Sequence, residues 1–115
     1  MVRYQVTETD TAEHVGSGDV PVLATPRLIG WLEAATVQAA EPFAGPGQTT
    51  VGTAVRVQHR RATHVGGTVE VTAEPLPGDG RLLSFQVKAV DGSGQLVAQG
   101  EIDRVIVDRQ KFLAR

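Results

Sequence analysis

The sequence has no cysteine among its 115 residues. Without cysteine, the chain can form neither a disulfide framework nor a thiolate metal site. It also lacks a concentration of basic residues, because 11 Lys and Arg are scattered among 13 Asp and Glu, for a net charge of −2. A general nucleic-acid-binding protein needs a concentrated basic face, so this composition argues against one.

Long apolar runs are missing as well. No segment approaches the roughly 20 apolar residues that a membrane-spanning helix needs. The N-terminal residues Met1 to Val6 lack the charged start and the apolar centre of a signal peptide. Together these two absences favour a soluble cytoplasmic protein.

What is present fits one globular domain. A chain of 115 residues leaves no room for a second domain, so we expect a single domain over residues 1–115. Apolar residues make up 41% of the chain, which is within the normal globular range. We therefore expect the domain to fold without the help of a cofactor.

One segment has the pattern of an amphipathic helix. Thr25 is expected to be its N-cap, Pro26 its first helical residue, and Pro42 the residue that stops it. Its apolar side chains fall on one stripe, which contains Leu28, Leu32, Ala35 and Ala39. Few of its residues are polar, so we expect other parts of the protein to wrap around this helix.

The rest of the chain has the alternation of β-strands. A weak edge strand is predicted over residues 2–9, a loop from Thr9 to Pro21, and four stronger strands over residues 51–61, 68–73, 81–90 and 95–107. Antiparallel strands of this kind offer one broad apolar face, which a single long helix can cover. Composition and periodicity thus predict the α+β class.

Glu33 stands out because it lies inside the otherwise apolar helix. Two helical turns separate it from Thr25, so the two side chains can lie on one face near the helix start. The alternative is an ordinary exposed glutamate, since glutamate is almost never fully buried without a partner. The helix pattern alone supports the two interpretations equally.

His59 and Thr25 are the other two candidates. His59 alternates with Val55 and Val57 and can face the apolar side of the sheet, where an imidazole serves as acid or base near neutral pH. A structural histidine is the simpler interpretation of the residue by itself. A threonine hydroxyl at a helix start can act as a cap, or it can meet a carbonyl or an oxyanion beside free N–H groups.

Histidine spacing also bears on metals. No two of the three histidines have metal-ligand spacing on a helix, and His59 and His64 do not share a face. We therefore expect no metal site.

Two blocks of the chain resemble the hot dog-fold thioesterases of the fluoroacetyl-CoA thioesterase type. The first runs from Val22 to Ala35, and the second runs from Thr50 to His59, followed by Ala62 to Gly66. Shorter matches occur at 81–85 and 104–107, so the resemblance covers nearly the whole chain from about residue 5. The Thr-Pro…Glu block joined to the Gly…His strand is the specific feature.

The resemblance implies an antiparallel sheet wrapped around one long helix, and a homodimer whose sheets join edge to edge. Active sites would lie at the subunit interface, and a tetramer remains an alternative to the dimer. Thr25, Glu33 and His59 would form the catalytic set, with His59 contributed by the other subunit and Glu33 acting as nucleophile or as base for a water.

The same resemblance implies two substrate-binding residues. Gly52 would let the substrate lie close to the backbone. Arg104 would lie near the coenzyme A or the acyl end, since arginine pairs well with phosphate or carboxylate. A surface salt bridge is the equal alternative for Arg104.

The implied activity is hydrolysis of an acyl-CoA thioester to a free acid and coenzyme A, without a cofactor. Asp19-Val20 stands where the specialised fluoroacetyl-CoA enzyme has an aromatic gate, so we expect a broader acyl preference. The expected pocket walls are Val20, Leu23, Trp31 and the partner chain. The alternatives are a non-catalytic hot dog domain that binds an acyl-CoA or another small ligand, and, less supported, a hydratase or dehydratase, whose characteristic sequence block we do not find.

Overall fold

The computed structural model of the protein describes residues 1–114. A five-stranded antiparallel sheet curls against one long helix, which is the α+β arrangement that the sequence predicts. The strands and helices are β1 (Val2–Gln5), α1 (Ala12–Val15), α2 (Thr25–Ala40), β2 (Gln48–His59), β3 (Thr68–Pro75), β4 (Leu82–Asp91), β5 (Leu96–Asp108) and α3 (Arg109–Leu113). Within residues 1–114, no helix is both long enough and apolar enough to cross a membrane.

Helix α2 covers the inner face of the sheet. Every fourth side chain of the helix is buried, namely Leu28, Leu32, Thr36 and Ala40. They meet a core in which the strands contribute fully buried apolar residues, among them Val69, Val71, Phe85, Val87 and Ile102. This spacing turns one stripe of the helix toward the sheet and leaves the opposite side uncovered.

Strand β2 lies at an edge of the sheet. The spatial order is β1-β3-β4-β5-β2, so β2 pairs only with β5, although β3 follows it in the chain. In that pairing Gly52 lies opposite Arg104 and His59 lies opposite Ala98, and a bulge interrupts the register between Gly52 and Ala54. The edge strand therefore carries two of the candidate residues, one toward each end.

The first turns of the chain differ from the prediction. The strand predicted over residues 2–9 ends at Gln5, because the Thr7 N–H donates to the Asp10 carboxylate at 2.9 Å and forms a local turn instead. The predicted loop from Thr9 to Pro21 contains the short helix α1. Its N-cap is Thr11, whose hydroxyl accepts from the His14 N–H at 3.3 Å.

The prediction that Thr25 is an N-cap is wrong. Helix α2 begins at Thr25 itself, its N-cap is Ala24, and no side chain caps it. Ala24 is held in an extended conformation, with its N–H bonded to the Asp10 carbonyl, and its own carbonyl accepts the first helical bond from Leu28 at 3.0 Å. The Thr25 hydroxyl is therefore not used by the helix backbone.

The far end of β2 also differs. The predicted strand runs to residue 61, but β2 ends at His59. The N–H groups of Arg60 and Arg61 both point to the carbonyl of Val97, at 2.8 and 3.3 Å. Because two residues then share one partner, the regular ladder stops, and the chain turns away directly after His59.

Gly100 permits the close approach of β2 to β5. A Cβ at this position would overlap the Arg56 carbonyl oxygen and would lie 2.7 Å from Val57 Cα. Both are backbone atoms, which cannot move aside without shifting the strand. The placement of β2, and with it of His59, thus depends on a missing side chain in β5.

We expect the substitution Gly100→Ala to lower the free energy of unfolding by about 3 kcal/mol, because the added methyl group meets backbone. Urea denaturation measures the change. Gly45→Ala is the matched control, since its Cβ would meet only the flexible Gln48 side chain, at 3.4 Å. An equal loss of stability in the two variants would contradict the close approach.

Candidate active site

The start of α2 and the end of β2 meet through two side chains. The Thr25 hydroxyl oxygen lies 2.8 Å from His59 Nδ1, and both residues belong to the same chain. Thr25 is exposed and His59 is half-buried. A hydroxyl held by an imidazole at this distance is the arrangement in which a histidine can polarise or deprotonate it.

Burial sets the protonation of this histidine. Removal of the ring from water lowers the pKa of His59 below its ordinary value of 6.5, and the backbone of Arg61 acts in the opposite direction with a smaller effect. The second ring nitrogen, Nε2, is buried and makes no hydrogen bond of normal geometry within residues 1–114. Nδ1, which faces Thr25, is therefore the nitrogen that can take part in chemistry.

A groove of about 300 Å³ opens beside this pair. Its lining includes Thr25, His59 and the predicted wall residues Val20 and Leu23. The third predicted wall residue, Trp31, is not among the lining residues. Its ring instead stacks on Tyr4 of β1, with 4.3 Å between ring centroids and parallel planes.

Glu33 lies in a second cluster, with Gly52. A Cβ on residue 52 would stand 2.8 Å from Glu33 Oε2 and 3.5 Å from Arg104 Nη1. Glycine at this position, next to the bulge in β2, therefore leaves the space in which the Glu33 carboxylate lies. This places Gly52 beside a candidate catalytic group, and its relation to a substrate stays a prediction.

Arg104 is buried, with 6% of its surface exposed, so its interpretation as part of a surface salt bridge is wrong. Its guanidinium donates to the hydroxyl and the carbonyl of Thr50, at 2.9 and 3.0 Å, and more weakly to the Thr36 hydroxyl at 3.4 Å. Burial lowers the pKa of Arg104, and the carboxylate of Glu33 opposes that shift. The arginine thus provides positive charge beneath Glu33.

The sequence interpretation missed Thr36 and Thr50. The Thr36 hydroxyl donates to the Glu33 carbonyl at 2.6 Å and accepts from Arg104, so it connects the helix to the buried guanidinium. A signal for it existed, because Thr36 is the polar member of the buried stripe of α2, and buried hydroxyl groups require a partner. Nothing in the alternation of β2 distinguishes Thr50.

One chain does not bring the three catalytic candidates together. Thr25 and Glu33 are eight residues apart on α2, which corresponds to about 12 Å along the helix axis. Thr25 contacts His59, whereas Glu33 faces Gly52. Thr25 and His59 meet within one chain, so Glu33 is the separated group, and which subunit contributes each member of the set stays a prediction.

The acidic and histidine side chains of the described part of the chain bear on metal binding. Across residues 1–114 no group of three or more His, Asp and Glu side chains has a geometry that could hold a metal ion. The chemistry available at the two clusters is that of a hydroxyl, an imidazole, a carboxylate and a guanidinium.

The lowered pKa of His59 leads to a test by titration. We expect NMR to show His59 losing its proton below pH 6.5, with the resonance assigned by its absence in His59→Gln. Because the unfolded chain binds the proton more readily, the folding stability should fall as the pH drops from 6.5 to the depressed pKa, and then level off. A titration midpoint above 6.5 would contradict the burial of the neutral ring.

Comparison with known proteins assigns the family. The family model described as "FlK: Fluoroacetyl-CoA-specific thioesterase" matches residues 6–110. A fluoroacetyl-CoA thioesterase from Streptantibioticus cattleyicolor is 40% identical over 94 residues, which cover 82% of this chain and 67% of that protein.

Solved structures agree with this match. The fluoroacetyl-CoA thioesterase FlK superposes with a TM-score of 0.88 at 35% identity, covering 98% of this chain and 87% of FlK. A Thermus thermophilus member of the thioesterase superfamily superposes with a TM-score of 0.91 at 27% identity, covering 98% and 83% of the two chains. The chain therefore belongs to the family of fluoroacetyl-CoA-specific thioesterases and is a thioester hydrolase with the hot dog fold.

Proposed function

We propose that this thioesterase hydrolyses its acyl-CoA substrate with Thr25 and His59 of one subunit and Glu33 of a second subunit. The observation that carries the proposal is the 2.8 Å contact between Thr25 and His59 beside an open groove, which no Asp or Glu of residues 1–114 lines. A point mutant of FlK has been solved in complex with fluoroacetate and CoA, which supports a CoA thioester as the substrate. We also propose a cytoplasmic location, where acyl-CoA is made and used.

The free edge of β2 supports a homodimer. Val55 shares the core face of the sheet with its neighbour Ile102, yet 40% of its surface is exposed, so the chain's own helix leaves this part of β2 uncovered. A long unpaired edge is a template for pairing with another strand. If two β2 strands pair antiparallel about a twofold axis between Val55 and Arg56, residue 52 of one strand lies opposite residue 59 of the other.

The exposed side of α2 supports the same axis. Thr25 and Glu33 each lie four residues from Ile29 along the helix. A twofold axis beside Ile29 would pair two copies of α2 antiparallel, with Thr25 of one helix opposite the partner subunit's Glu33. Gly30 lies next to that point, and a Cβ on it would meet no atom within 4 Å, which leaves room for a second helix. The strand and the helix thus support the same proposed arrangement, in which the partner subunit's Glu33 lies beside His59.

The proposed chemistry begins at the start of α2. The N–H groups of Thr25 and Arg27 precede the first helical hydrogen bond, and Pro26 between them has no N–H, so these two donors are available to a carbonyl oxygen. Backbone donors aimed at a developing oxyanion are among the strongest contributions to acyl transfer. The thioester carbonyl would therefore bind here, at the mouth of the groove.

The carboxylate then acts on the carbonyl carbon. Glu33 either attacks the carbon or takes a proton from an attacking water, and both routes need a carboxylate within about 3.5 Å of the reaction centre. The Thr25 hydroxyl, polarised by neutral His59, orients the attacking group. When the carbon–sulfur bond breaks, the thiolate of coenzyme A leaves. In the water route the thiolate takes the proton held by Glu33. In the nucleophile route a water then cleaves the anhydride between the acyl group and Glu33, which releases the free acid, restores the carboxylate and supplies the proton that the thiolate takes up.

The wall of the groove supports a broad acyl preference. The segment before α2 lines the groove with Ser17, Gly18 and Val20, and Val20 is 49% exposed. None of these side chains is aromatic or large enough to close over a two-carbon acyl group. We therefore propose that the enzyme does not select fluoroacetyl over other short acyl groups.

We expect Glu33→Gln and His59→Ala each to lower kcat at least about 100-fold, because the first removes the nucleophile or base and the second removes the imidazole that polarises Thr25. The measurement is steady-state release of thiol from acetyl-, fluoroacetyl-, butyryl- and aryl-CoA. The unchanged enzyme should hydrolyse acetyl-CoA and fluoroacetyl-CoA with similar kcat/KM.

Two matched controls accompany these variants. Glu41→Gln changes an exposed glutamate directly after α2, and His64→Ala changes an exposed histidine after β2, so both should retain full activity. Wild-type rates in Glu33→Gln and His59→Ala would refute the site. Strong preference for fluoroacetyl-CoA would refute the broad specificity alone.

A further inference from the structure

Two consecutive arginines follow the candidate catalytic histidine. Arg60 and Arg61 are exposed, and both line the groove that contains Thr25 and His59. Their backbone N–H groups are fixed on the Val97 carbonyl, so their position relative to His59 is set by the sheet. The reaction proposed above gives these residues no role.

The groove is positively charged although the chain as a whole is acidic. Among the residues of 1–114 that line it, Arg60 and Arg61 are the ones with a formal charge, and no Asp or Glu is among them. The net charge of the chain is −2. A shallow groove with charge of one sign raises the local concentration of a ligand of the opposite sign.

Neighbouring side chains hold the two guanidinium groups in place. Arg60 donates twice to the Gln58 side-chain oxygen, at 3.2 and 2.6 Å, and Arg61 Nε lies 3.4 Å from an oxygen of Asp91. The carboxylate of Asp91 already accepts from the backbone and hydroxyl of Ser93. Each arginine therefore keeps N–H donors free for a ligand while part of its rotamer freedom is already lost.

We propose that Arg60 and Arg61 form a phosphate-binding subsite that takes the phosphate groups of coenzyme A. This inference rests on the proposed function, because it assumes that the acyl end of the substrate lies at Thr25 and His59. Coenzyme A joins its thioester to a diphosphate and a 3′-phosphate through a long flexible arm, and guanidinium groups bind phosphate in bidentate fashion. The substrate class is then the CoA thioester, in preference to thioesters that lack phosphate.

The test combines binding and kinetics. We expect Arg60→Gln/Arg61→Gln to raise both the Kd for free CoA, measured by calorimetry, and the KM for acetyl-CoA by about tenfold or more, and to weaken the salt dependence of both. Hydrolysis of the N-acetylcysteamine thioester of the same acyl group, which has no phosphate, should stay within about twofold of wild type. Acetyl-dephospho-CoA lacks the 3′-phosphate and keeps the diphosphate, so its KM distinguishes which of the two phosphate groups the arginines bind.

The control variant Arg81→Gln/Arg109→Gln removes the same charge from two other exposed arginines and should leave the Kd for CoA unchanged. An unchanged Kd in Arg60→Gln/Arg61→Gln, or equal losses on the CoA and N-acetylcysteamine thioesters, would overturn the subsite. If CoA binding depends on the arginines but no thioester is hydrolysed, the proposed function fails and the subsite stands. If thioesters are hydrolysed and neither CoA binding nor hydrolysis depends on the two arginines, the subsite fails and the proposed function stands.

Discussion

The hydrogen bond between Thr25 and His59 connects the two elements on which the site depends. It joins the first residue of α2 to the last residue of β2, over 2.8 Å. Because β2 is held against β5 at Gly100, and α2 is held by its buried stripe, packing fixes the backbone that carries each partner of the bond. The imidazole is kept neutral by burial, and the hydroxyl is kept at the surface, where a substrate can reach it.

The same helix imposes the second constraint. Thr25 and Glu33 cannot meet within one chain, because about 12 Å of helix separates them. Glu33 is instead placed over Gly52 and above the buried charge of Arg104, which Thr50 and Thr36 hold by hydrogen bonds. Under the proposed function, one folded chain holds two incomplete halves of a site, and a twofold axis beside β2 and α2 is the simplest way to join them.

The sequence predicts the fold class and the main elements because their signals are local. The stripe of α2 and the alternation of β3 to β5 are periodic patterns that burial requires. The position of β2 at the edge, the N-cap at Ala24 and the early end of β2 depend on hydrogen bonds to distant residues, such as Asp10 and Val97. The sequence also identifies the candidate residues of the site by their type and position. The Thr25–His59 contact, the burial of Arg104 and the role of Thr36, however, arise only when the helix packs on the sheet.

A mixed dimer tests the shared site most directly. Co-expression of Glu33→Gln and His59→Ala chains with different tags allows the dimer with one chain of each kind to be isolated and assayed for thioester hydrolysis. In that dimer one site has Thr25 and His59 from the first chain and Glu33 from the second, so we predict about half of the wild-type activity, although each parent dimer is inactive. A mixed dimer as inactive as its parents would show that each site is not built by two subunits.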